Sequence, residues 1–106
     1  MIYNRLFFLT VLTLLTGCNS VSQETIDTGA KLYTKCSECH GEKGNRKALE
    51  KSALLQGQSK AEIEKKLKAY KAGTRNVTGM GAWKKGMLKH MSDTDIEALA
   101  AYISTF

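Results

Sequence analysis

The sequence contains no proline, and only one tryptophan and three phenylalanines among its 106 residues. With no pyrrolidine ring present, no helix in the chain is broken from within by one. Alternating runs of Val, Ile and Thr, the pattern of a half-buried strand, are also missing, which removes sheet-based folds and the βαβ unit from consideration. No repeat or low-complexity tract occurs. Acidic residues are absent before Glu24, and histidine occurs only twice, at His40 and His90. Cysteine occurs three times, so any single pair leaves one thiol over.

Against this background one short segment stands out, Cys36-Ser37-Glu38-Cys39-His40. Two thiols three residues apart, with a histidine directly after the second, have the spacing that attaches haem covalently. On a helical turn each sulfur can reach one vinyl group of the same porphyrin, and the histidine can reach the iron from one face. Cys-x-x-Cys also serves redox disulfides and zinc sites. A thioredoxin-like reading needs the missing βαβ pattern. A zinc site needs four ligands, and beyond the motif only Cys18 and His90 remain. Haem attachment through Cys36 and Cys39, with His40 as an iron ligand, is the reading that survives.

The leftover thiol, Cys18, has its own context. Arg5 is the only charge before Glu24 and is followed by an apolar run from Leu6 to Leu15. That run is too short to cross a bilayer as a helix of about twenty residues and reads as the core of a signal peptide. It ends in Leu15-Thr16-Gly17-Cys18, which is similar to a bacterial lipobox, where cleavage precedes an acylated cysteine. The expected organisation is therefore a leader over 1–17, a lipid-bearing Cys18 with a polar spacer over 18–28, and a domain over 29–106. Such a protein sits on the periplasmic side, anchored by lipid to a bacterial membrane.

The domain left after cleavage is small, with a meagre core of its own, and a large apolar cofactor would supply what the chain lacks. The formal charge is +6, and loss of Arg5 with the leader leaves the domain basic. For an exported protein this balance points to acidic redox partners or an anionic membrane surface, not to nucleic acid. Most of the lysines are spread along every segment as a solvated face.

The spacing predicts a helix over about Ile26 to Cys39, packing through Ile26, Ala30, Leu32 and Tyr33 and ended by Gly41. Gly41 to Gln58 has no sustained period and reads as a loop, with a helical turn available between Ala48 and Gln56. Ser59-Lys60-Ala61-Glu62 reads as a capping box for a helix carrying Ile63, Leu67 and Tyr70 and stopped by Gly73. Ser92-Asp93-Thr94-Asp95 opens a last helix with the apolar stripe Ile96, Leu99, Ala100 and Ile103.

Helix with Cys-x-x-Cys-His, loop, helix, glycine-rich loop, terminal helix: in this order the chain resembles a class I cytochrome c. The resemblance runs from about Thr28 to Phe106 and includes Gly29-x-x-Leu32-Tyr33-x-x-Cys36, Lys71 to Asn76, and Ser92-Asp93-x-Asp95-Ile96. It implies an all-α fold of three to four helices around one haem c, with Gly29 allowing the terminal helix to cross closely and Tyr102 meeting the first helix. It also implies a methionine sulfur opposite His40, on the loop before the terminal helix. Met80, in Gly79-Met80-Gly81, is the first candidate and Met87 the alternative, while Met91 reads as a hydrophobic staple beside the Ser92 cap. In relatives the ligand commonly lies about eight residues before that cap, where this chain has Lys84, so Lys84, His90, water or no sixth ligand stay open. Trp83 could close over the haem edge. Relatives often hold the axial histidine's second ring nitrogen with a proline carbonyl; here a carbonyl between Ala48 and Leu55 would have to serve.

The resemblance implies an electron carrier, not an enzyme, working as a monomer between a quinol-oxidising cytochrome complex and a terminal oxidase or peroxidase. Lys35, Lys43, Lys84 and Lys85 are the candidates for steering acidic partners. The alternative is a haem sensor or ligand-binding module whose sixth site is open or weakly held.

Overall fold

The computed structural model describes residues 21–48 and 53–106. The leader, Cys18 and part of the segment from Ala48 to Gln56 lie outside the described residues. Four helices follow one another: α1 (Gln23–His40), α2 (Lys60–Ala72), α3 (Gly81–Leu88) and α4 (Asp93–Ile103). Among the described residues there is no strand, and no helix is long and apolar enough to cross a membrane.

Helix α1 begins earlier than its apolar spacing predicts. The Ser22 hydroxyl accepts a hydrogen bond from the Thr25 N–H, satisfying one of the donors a helix start leaves orphaned, and Glu24 lies in the first turn. Six residues of the expected spacer, Gln23 to Thr28, are consequently helical. The polar composition that suggested a spacer is that of an exposed first turn.

Helices α2 and α4 start where their caps predict. The Ser59 hydroxyl accepts from the Glu62 N–H, and at Ser92 both halves of the capping box with Asp95 are formed. Gly73 ends α2 in the left-handed region, φ 82°, its N–H bonded to the Ala69 and Tyr70 carbonyls.

The terminal helix organises the rest, packing against both α1 and α2, while α3 packs on α2. Ile96, Leu99 and Ala100 are fully buried, and Tyr33, Ile63, Tyr70, Leu88, Met91 and Ile103 complete the core around them. Met91 is thus a packing residue, as its place before the Ser92 cap predicts. At the crossing of α1 and α4 the small Gly29 meets Ala98 and Tyr102. Tyr33, Tyr102 and Phe106 form an aromatic triad beside it, with ring centroids 4.9 to 5.6 Å apart.

Burial pushes the Tyr33 hydroxyl up to about 12. The folded protein therefore holds this proton more tightly than the unfolded chain does. The corresponding stability is fully present below pH 10 and is lost as the pH rises through 12. The drop in unfolding midpoint between pH 9 and pH 11.5 is expected to be smaller in Tyr33→Phe than in the wild type. Equal drops in the two proteins would refute this.

Candidate haem-binding site

The last turns of α1 carry Cys36, Cys39 and His40, spaced i, i+3 and i+4, so that one helix face presents all three. Neither thiol is in a disulfide. Gly41 ends the helix with its N–H on the Ser37 carbonyl, and Tyr33 donates its hydroxyl proton to the Gly41 carbonyl at 2.5 Å. The turn directly after His40 is thereby fastened to the core.

Burial raises the Cys36 thiol to about 11, so at neutral pH it is a protonated thiol. A reactive dithiol needs the opposite shift. Burial first, and then the Lys84 charge, lowers His40 to about 4. Its imidazole is neutral, the form that donates to a metal.

These residues form one wall of a cleft of about 230 Å³. A concave, mostly apolar cleft with a few polar groups on its walls is the form that cofactor sites take. Ile63, Leu67 and Tyr70 of α2 form a second wall, and Ala48, Ala53 and Leu55 of the long loop lie on the cleft as well. That loop is closed at its neck by Gly44, φ 62°, whose carbonyl accepts from both Leu55 and Gln56. A Cβ on Gly44 would stand 2.7 Å from Leu55 and from Phe106, so the neck closes only around a glycine.

The remaining wall is the segment from Arg75 to Leu88, and here the structure departs from the expected glycine-rich loop. Residues Gly81–Leu88 are helix α3, although Gly81 and Gly86 lower its propensity and Met80 at the N-cap makes no side-chain cap bond. The missing cap comes from upstream: Asn76 Oδ1 accepts from the Gly81 N–H at 2.8 Å. A Cβ on Gly81 would lie 2.7 Å from the Arg75 carbonyl, so the glycine is also what lets that turn close. Met80, Lys84 and Met87 recur at intervals of four and three along α3, and all three line the cleft. So does Trp83, which is 56% exposed and therefore half in solvent.

The structure thus brings Cys36, Cys39, His40, Met80 and Met87 onto one cleft and leaves two candidates off it. His90 is exposed and Met91 is in the core. Of the four steering lysines expected, Lys35 and Lys84 line the cleft; Lys43 lies beside a separate surface hollow and Lys85 approaches Gly73. Lys66 and Arg75, which the sequence does not single out as site residues, line the cleft in their place.

The family model for cytochrome c matches residues 26–106. The chain belongs to the cytochrome c family. Relatives of this cytochrome c include the cytochrome c-553 of Helicobacter pylori, 40% identical over 90 residues that cover 84% of this chain and 90% of that protein. The cytochrome c-553 of Desulfomicrobium norvegicum is 40% identical over 85 residues, 76% of this chain and 98% of that protein. That of Nitratidesulfovibrio vulgaris is 35% identical over 88 residues, covering 79% and 81%. The chain is a monohaem electron-carrier cytochrome of the small all-α fold, with one haem c covalently attached.

The residues of this cytochrome c fit such a group on their own evidence. Two free thiols, one neutral imidazole and an apolar cleft that stands open beside them are what covalent haem requires. His40 Nδ1 is buried and makes no hydrogen bond to the described residues. The expected carbonyl between Ala48 and Leu55 has residues 49–52 outside the described set. Lys66, Arg75 and Asn76 are the site residues missed from sequence. An asparagine five residues before a Gly-Ala pair is a usable cap signal only once the start of α3 is known.

Proposed function

We propose that this cytochrome c passes single electrons, outside the cytoplasm, from a quinol-oxidising cytochrome complex to a terminal oxidase or peroxidase, with His40 and Met80 as the two axial ligands. The observation that supports this is a shared cleft: His40 closes one wall, and Met80 stands at the start of α3 in the other, held by the Asn76 bond to Gly81. A thioether is a soft donor that favours ferrous iron. With His40 and Met80 both holding the iron, no position would be left for a substrate, and little would rearrange on a one-electron change. Haem supplies the redox chemistry when bound; Cys36 and Cys39 would attach it, and His40 and Met80 would hold its iron.

Lys35, Lys66 and Lys84 on the cleft add a positive field that favours brief docking of acidic partners. Lipid on Cys18 would confine the search for those partners to the membrane plane.

The test is the absorption spectrum of the ferric holoprotein. The weak far-red band of sulfur bound to iron is expected in the wild type and in Met87→Ala, and is expected to vanish in Met80→Ala. Loss in Met87→Ala instead would move the ligand two turns along α3. A wild-type protein with no band and a high-spin spectrum would have an open site, and ligand sensing would replace electron transfer.

A further inference from the structure

Arg75 and Lys84 both rest on one aromatic ring. The Arg75 guanidinium carbon is 5.3 Å, and Lys84 Nζ 4.4 Å, from the centroid of Tyr70, which is itself 6% exposed. Two cations converging on a buried ring repel each other where screening by water is weak. The cleft they line also contains Lys35 and Lys66 and, among the described residues, no Asp or Glu. Moreover, Arg75 Nε is buried and has no hydrogen-bond partner among the described residues, a donor left unused at a cost the fold would otherwise avoid. An anion between the two side chains would remove both penalties. Haem brings two carboxylates into this cleft, and a guanidinium is shaped to hold a carboxylate.

We propose that Arg75 and Lys84, steered by the Tyr70 ring, clasp a carboxylate of the haem. The ring fixes both cations before the cofactor arrives, through attraction to its face, so neither long side chain has to be ordered at the moment of binding. Lys84 therefore has a role other than the iron ligand its distance from the Ser92 cap suggests. The clasp also bears on the redox chemistry. A carboxylate left uncompensated near the iron favours the ferric state, so removal of either cation lowers the midpoint potential. The inference depends on covalent haem, and is independent of which methionine is the sixth ligand.

The experiment compares holoproteins of the wild type, Arg75→Gln, Arg75→Lys, Lys84→Gln and, as control, the exposed Lys31→Gln. Redox-difference infrared spectra with 13C-labelled haem carboxylates and midpoint potentials are recorded for each. The labelled band is expected to shift and the potential to fall in Arg75→Gln and in Lys84→Gln, with Arg75→Lys and Lys31→Gln close to the wild type. If Arg75→Gln does not accumulate, Arg75→Lys and Lys84→Gln carry the comparison: a shifted band in Lys84→Gln supports the clasp. Wild-type band positions in every glutamine variant obtained would overturn it. So would a high-spin spectrum in Lys84→Gln, since that result puts the amine on the iron. Loss of the far-red band in the wild type would sink the carrier reading alone and leave the carboxylate bands interpretable.

Discussion

Gly29→Val is expected to lose at least about 3 kcal/mol of stability. A Cβ built on Gly29 would stand 2.1 Å from the Ala98 carbonyl oxygen and 2.6 Å from Tyr102 Cβ, both on α4. Backbone oxygen cannot turn aside as a flexible side-chain tip can, so the two helices must separate by more than an ångström. That separation opens the contacts of Tyr33 with Tyr102 and Phe106 and loosens the wholly buried Ile96 and Leu99. Valine also has a higher helix propensity than glycine, by a few tenths of a kcal/mol, which is too small to offset the clash. Denaturant titration of the ferric holoprotein measures the loss, with Lys31→Ala, exposed two residues further along α1, as a control expected within about 0.5 kcal/mol of the wild type. A valine variant as stable as that control would mean α1 and α4 do not cross at Gly29.

The double variant Cys36→Ala, Cys39→Ala is expected to yield a protein with no covalent haem and no cooperative unfolding transition. Without haem, the partly buried apolar side chains on the cleft, Leu55, Leu67 and Met87 among them, stay in contact with water, and the burial they would gain against a porphyrin is lost. A small domain has only about 5 kcal/mol of stability at the low end, so losing that burial removes a large part of it. The damage will not be even. Helix α3 packs on α2 alone among the helices, and the loop after Gly44 is held by its neck, so both depend on what fills the cleft between them. The α1–α4 crossing has its own aromatic cluster and should persist longest. Hydrogen exchange should show protection vanishing first over residues 77–88 and in the loop segments 41–48 and 53–58. Haem staining after denaturing electrophoresis reports the attachment itself. A haem-free double variant that melts sharply at the wild-type temperature would sink the argument that the cofactor completes the core.

Much of the site was legible because its chemistry is local. Cys36, Cys39 and His40 lie within five residues, and helical spacing alone puts them on one face. Caps are local too, which is why Ser59 and Ser92 mark the starts of α2 and α4 correctly. Helix α3 was not legible for the same reason in reverse. Two glycines argue against it within its own sequence, while the bond that starts it comes from Asn76, outside the helix, and Leu88 at its far end is stabilised by burial in the core. Sequence spacing likewise treats Met80, Lys84 and Met87 as competitors for one role. On the α3 face all three line the cleft, and Lys84 turns toward Tyr70.

From the sequence alone came the cofactor, its covalent attachment and the all-helical class, because each follows from residues or patterns a few turns long. Only the tertiary structure decided how α3 forms and which cations enter the cleft. It also decided that Arg75 and Lys84 share one ring, because these depend on contacts with α2 and the core that no local pattern encodes.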